Sequence, residues 1–140
     1  MATLATIRTN VWDAIYTYLQ TTNPISTNNI YSAKNSKLVN SVGYPLVIID
    51  PPSVSATKLT VTGAITESMI VVSIEVYHTS SATLKALVDE VMAKLIAGRK
   101  TFTVNRLMRM EIDGQDYDYW EESNKTIHFA QFAVNFRYVA

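Results

Sequence analysis

The chain has 140 residues and a mass of 15.6 kDa, which is the size of one domain, and residues 1–140 are read as a single unit. Apolar residues make up 48% and charged residues only 17%, which excludes a long disordered tract. Twelve Lys and Arg balance twelve Asp and Glu, and there is no cysteine. That balance argues against a free-standing nucleic-acid binder. The missing thiols exclude disulfides, thiol catalysis and cysteine-ligated zinc.

The chain opens on an amphipathic pattern. Leu4, Ile7, Val11, Ile15, Tyr18 and Leu19 recur at helical spacing, with Arg8, Asn10, Asp13 and Thr17 on the other side. Thr3 or Thr6 is expected to cap this helix, and Thr21-Thr22-Asn23-Pro24 to end it, because a residue before proline is pushed out of the α region. The start lacks the basic and apolar regions of a signal peptide, and no apolar run approaches the length of a membrane span.

Residues 26–44 are polar and read as loop, with Ile30-Tyr31 as a possible short edge strand. Leu46-Val47-Ile48-Ile49 is a continuous apolar run, the pattern of a buried strand, and Asp50-Pro51-Pro52 is expected to stop it. Lys58-Leu59-Thr60-Val61-Thr62 alternates like a half-buried strand, with Gly63 as a turn. Met69 to Tyr77 predicts a long central strand, with Ile70, Val72, Ile74 and Val76 on one face.

Ser80 or Ser81 is expected to cap a second helix with the stripe Leu84, Leu87, Val88, Val91 and Leu95, ending at Gly98. A strand is expected over Arg106–Ile112, then a turn at Asp113-Gly114, then a charged, aromatic excursion over Gln115–Lys125. Ile127–Val139 predicts the last strand, with Ala130, Phe132, Val134, Phe136 and Tyr138 on one face. The order α-β-β-β-α-β-β predicts an α+β fold, a mainly antiparallel sheet with two helices packed on one face.

Chemistry is sparse. The four glycines are scattered, so neither the dinucleotide-binding nor the P-loop spacing exists. His78 and His128 lie far apart in sequence and form no metal-ligating pair by spacing, and no serine sits in a nucleophile elbow. No catalytic, cofactor-binding or metal-binding residue is therefore assigned.

The densest feature is acidic and aromatic. Glu111, Asp113, Asp116, Asp118, Glu121 and Glu122 are six of the twelve acids, interleaved with Tyr117, Tyr119 and Trp120. No calcium-loop pattern is present, and tyrosine and tryptophan are residues that anchor protein interfaces. Arg99, Lys100, Arg106 and Arg109 stand just upstream. Opposite patches on one small domain suit head-to-tail association of copies, so these basic residues together with Asp113, Asp116, Tyr117, Asp118, Tyr119, Trp120, Glu121 and Glu122 form a candidate subunit interface.

Three stretches carry a resemblance. They are the helix through Trp12-Asp13-Ala14-Ile15-Tyr16 with the later Tyr44-Pro45-Leu46-Val47-Ile48, the strand Met69–Tyr77 running into the helix Ser81–Ile96, and Asp116-Tyr117-Asp118-Tyr119-Trp120-Glu121 followed by Ile127–Val139. In this order the chain resembles the tail-terminator and tail-completion proteins, the head-tail joining proteins of long-tailed bacteriophages. The resemblance implies a structural virion protein of the tail or neck, assembled in the host cytoplasm. It implies a homo-oligomeric ring, usually a hexamer, that ends growth of the tail tube. The implied partners are the tail tube protein and the head connector or neck protein, with DNA passing through the lumen without sequence-specific binding. It implies no enzymatic activity, no cofactor and no membrane. Head-tail adaptor or neck proteins are one alternative, and a small α+β enzyme or ligand-binding domain is another of a different class.

Overall fold

Side-chain patterning with periods of 3.6 and 2 sets out the architecture. The computed structural model describes residues 4–21, 30–31, 45–58, 66–99, 107–122 and 125–139. The elements are α1 (Leu4–Thr21), β1 (Ile30–Tyr31), β2 (Leu46–Ile49), β3 (Ser53–Lys58), β4 (Thr66–His78), α2 (Ser81–Ala97), β5 (Leu107–Glu122) and β6 (Lys125–Val139). Among the described residues one sheet holds every strand, in the order β1-β2-β4-β6-β5, with β3 also paired to β4. The β1–β2 pair is parallel and all the others are antiparallel. The fold is thus the expected α+β arrangement, with both helices on one face of a mainly antiparallel sheet.

The main core lies between that face and the helices. Val11, Ile15 and Leu19 of α1 and Leu84, Leu87, Val88, Val91 and Leu95 of α2 meet Ile70, Val72, Ile74 and Val76 of β4 and Ala130, Phe132, Val134 and Phe136 of β6. Each fully buried large side chain contributes roughly 1.5–3 kcal/mol relative to exposure. The indole N–H of Trp12 donates to the Ile49 carbonyl at 3.1 Å, which ties α1 to the end of β2. Ser80 caps α2 in extended backbone, its Oγ accepting from the Thr83 N–H at 3.5 Å, and Gly98 N–H donates to the Lys94 carbonyl at 2.9 Å at the other end.

The opposite face carries a second, smaller cluster: Leu46, Ile48, Tyr77 and Ile127, with Tyr31 and Phe129 packed against it. The Tyr77 and Phe129 rings stack with centroids 5.4 Å apart. Glu75 is buried beside them and accepts from the Tyr77 hydroxyl at 2.7 Å, so this carboxylate leaves water with a partner in place.

Of the strand expected at Lys58–Thr62, Lys58 is the last residue of β3, and residues 59–62 lie outside the described residues. The two prolines stop β2 but not the pairing with β4. Ile49 pairs with Ile74 and Ser53 with Val71, while the Asp50 N–H donates to the Ser73 carbonyl at 2.8 Å. β2 and β3 thus follow the same side of β4, with Pro51 and Pro52 at the irregular step between them, a place where missing N–H donors are tolerated.

The Asp113-Gly114 turn is also absent, and the excursion over Gln115–Lys125 is mostly strand. β5 runs through it as one 16-residue strand paired with β6 as far as Glu122 opposite Lys125. Asp113-Gly114 makes a bulge instead. Asp113 pairs with Ala133 and Asp116 with Gln131, so β5 advances by one residue more than its partner. Gly114 sits at φ 69, the left-handed region that glycine enters without a Cβ penalty, and its N–H is held by Asp113 Oδ1 at 2.8 Å.

Candidate subunit interface

The bulge determines what the second half of β5 presents. Side chains alternate along a strand, so one inserted residue exchanges the faces beyond it. Before the bulge, Met110 and Ile112 pair with Phe136 and Val134 on the helix side. After it, Tyr117 pairs with Ala130 and Tyr119 with His128, which puts the tyrosines on that same side. Asp116 and Asp118 consequently stand opposite Gln131 and Phe129 on the other face. Without the bulge, the acids would crowd the first turn of α2 and the tyrosines would point away.

The tyrosines do not reach the core. They flank a groove of about 460 Å³ between α2 and the far half of the β5–β6 pair, lined by Ser81, Ala82, Leu84, Lys85, Tyr117, Asp118, Tyr119 and His128. Tyr117 is 47% exposed and Tyr119 is 64% exposed. With Ile96, at 57%, they are the large hydrophobic residues left exposed among the described residues. The Tyr119 and His128 rings lie 6.0 Å apart and tilted by 41°. Burial and, secondarily, the Asp89 carboxylate on α2 push the Tyr117 phenol above its ordinary pKa, so it remains a neutral hydrogen-bonding group.

The expected interface residues separate into groups. Asp113, Asp116, Tyr117, Asp118, Tyr119 and Glu121 are exposed on β5. Arg109, Trp120 and Glu122 belong to β5 by backbone pairing, opposite Arg137, Ile127 and Lys125. Arg99 is exposed just beyond the Gly98 cap of α2. Lys100 and Arg106 lie outside the described residues. Within one copy, Asp116 and Asp118 face away from Tyr117 and Tyr119, whereas Glu121, opposite Thr126, shares the tyrosines' side of the sheet.

Sequence reasoning missed the parts of the site that the fold supplies. His78 and His128 lie directly opposite each other on β4 and β6, and Tyr119 extends the same row on β5. Burial lowers the pKa of His78, whose Nδ1 accepts from the Thr79 N–H at 2.8 Å. Among the described residues, no group of three His, Asp or Glu is placed to hold a metal ion, and no helix is long and apolar enough to cross a membrane. A half-open aromatic groove beside an acidic strand is suited to binding a protein surface.

No protein-family model matches the chain, and no curated protein matches it. In fold it is similar to a chain from the virion of a native gene transfer agent particle. The TM-score is 0.65 with 15% identical residues, over 90% of this chain and 93% of that one. At that identity the likeness is one of fold.

Proposed function

We propose that this chain is a structural protein of a phage-like virion, acting as a ring at the head-proximal end of a tail tube. The observation that carries the reading is the fold likeness, over nine-tenths of both chains, to a component of a gene transfer agent virion. The element order that resembles tail-terminator proteins supports the finer role. In this role the ring ends tube growth and presents a surface to the head connector, while DNA passes through its lumen. Zero net charge suits such a conduit, because firm phosphate contacts would retard a sliding duplex. The work is done by association, with no enzymatic step. The acidic, aromatic half of β5 is the surface through which one subunit meets another or the next ring.

The test is a particle-producing strain with the coding sequence deleted and then restored in trans. Without the protein, tails of uncontrolled length or tails without heads are expected by electron microscopy. Antibody-bound gold on complete particles should mark the junction of head and tail. Normal particles in the deletion strain would overturn the reading. Label on the head side of the junction, with tails of normal length, would favour a neck adaptor instead.

A further inference from the structure

We propose that the sheet continues from one copy of this chain to the next, with the middle of β5 pairing antiparallel to β3 of a neighbouring copy. The pairing is read from the sheet itself; only its closure into a ring rests on the proposed function.

The sheet ends in two outer edges. On the upper half, β1 covers the outer side of β2. On the lower half, β3 pairs with β4, and among the described residues nothing pairs with its other side. At the far side, β5 pairs with β6 and ends the strand order, and among the described residues no further strand lies along its outer edge. An unpaired strand edge is a row of unused N–H and C=O groups and a template for another strand, unless charges, prolines or bulges blunt it.

Those devices are unevenly distributed. From Asp113 onward, β5 carries the bulge and then Asp116, Asp118, Glu121 and Glu122, which make a poor general template. Between its two irregular steps, from Arg109 to Asp113, the register with β6 is regular. β3 is regular along its whole length, and Ser53 to Thr57 bear no charge. The open part of each edge therefore lies on the lower half.

These two open edges match in level and direction. Ser53 pairs with Val71, Val71 with Asn135 and Asn135 with Glu111, so Ser53 and Glu111 end the same row. Ser55 and Arg109 end the next row, through Met69 and Arg137. Three successive antiparallel pairings leave β3 running opposite to β5. A neighbour placed alongside in the same orientation therefore offers its β3 antiparallel to β5, and the alternation continues without a break. The contact is heterologous, so each copy uses both edges, and rotation that closes the series leaves neither of these two edge segments open. A second copy is the occupant that satisfies both edges at once.

The absence of native cysteine makes disulfide trapping clean. Facing residues of antiparallel strands have Cα atoms roughly 4.5–5.5 Å apart, within disulfide range. Ser53, Ser55, Glu111 and Asp113 are all exposed on the face away from the helices. Four double variants combine Ser53→Cys or Ser55→Cys with Glu111→Cys or Asp113→Cys in the purified full-length chain under mild oxidation. At least one should give a reducible ladder that stops at a closed ring size, while mixed single variants stop at dimers. A control pairs Glu111→Cys with Ala93→Cys on the exposed side of α2.

The proposal is overturned by a mass that stays monomeric at every soluble concentration. It is also overturned by oligomers that none of the four variants traps, or by a control that traps equally well. Dimers trapped by Glu111→Cys alone would show β5 pairing with β5 and overturn it too. Trapped ladders from a protein that leaves particles unaltered when deleted would leave the pairing standing and remove the virion role.

Discussion

Tyr119 lies directly opposite His128 on the helix side of the sheet, and it reaches that position because β5 gains one residue between Asp113 and Asp116. Gly114 makes the gain possible at φ 69. A Cβ built there meets nothing within 4 Å, so backbone conformation is the sole obstacle to a side chain. Gly114→Val should cost about 1–2 kcal/mol, and Gly114→Asn less, because asparagine enters the left-handed region more readily. Denaturant midpoints of the three proteins check this. Equal midpoints for the valine and wild-type chains would mean that the bulge does not depend on this conformation.

The same helix offers a buried and an exposed apolar side chain for comparison. Leu87 of α2 is 1% exposed in the main core, whereas Ile96 on that helix is 57% exposed. Leu87→Ala should therefore cost about 2–5 kcal/mol, through lost burial and the cavity left behind. Ile96→Ala should stay within about 0.5 kcal/mol, as surface changes usually do. Urea unfolding of both variants separates the cases, and an unchanged midpoint for Leu87→Ala would contradict the packing of α2 on the sheet.

The pH dependence of stability has a named source. His78 is depressed from its ordinary value of 6.5 by burial, so between its folded pKa and 6.5 the unfolded chain binds more protons than the folded one. Stability from this group therefore rises with pH across that window and is fully present above 6.5. It is lost as pH falls toward the folded value. Protonation of Nδ1 also removes the acceptor for the Thr79 N–H. Midpoints measured from pH 7.5 downward should fall in the wild type, and His78→Gln should flatten that slope. An unchanged slope would assign the loss to other groups.

Much of the fold was legible because its strands and helices obey one period each. The stripe Leu84 to Leu95 and the alternation of Ile70 to Val76 and Ala130 to Phe136 appear in the core as written. What escaped were the places where an edge breaks its own rule. Pro51-Pro52 reads as a full stop, yet on the outer side of β4 it is a step between two paired segments. Asp113-Gly114 reads as a turn because the same φ serves turns and bulges. The charged run beyond it reads as loop because an edge strand carries polar side chains on both faces. The candidate site was half visible for a related reason. The aromatic and acidic cluster is local in sequence, but the approach of His128 and the first turn of α2 is set by register across β4, β6 and β5. The alternation of apolar residues in β4 and β6 was the available signal. Aligning those patterns antiparallel brings His78 and His128 together.

The remaining prediction concerns association. Tyr119 is 64% exposed, so Tyr119→Ala removes little buried area from the isolated fold and should leave its midpoint within about 0.5 kcal/mol. At an interface the same ring would be desolvated, and tyrosine is among the residues whose truncation costs most there. Exposed carboxylates contribute little singly, because water and salt screen them. Tyr119→Ala should therefore weaken self-association or tail joining more than Asp116→Ala does, and Trp120→Ala is expected to do the same. Added salt should weaken the wild-type contact only modestly if the aromatics dominate. Sedimentation of the purified variants and complementation of the deletion strain, with tail lengths read by microscopy, give two independent measures. If Tyr119→Ala and Trp120→Ala associate and complement like wild type while Asp116→Ala fails, the contact is electrostatic and the aromatic residues of β5 are not its anchor.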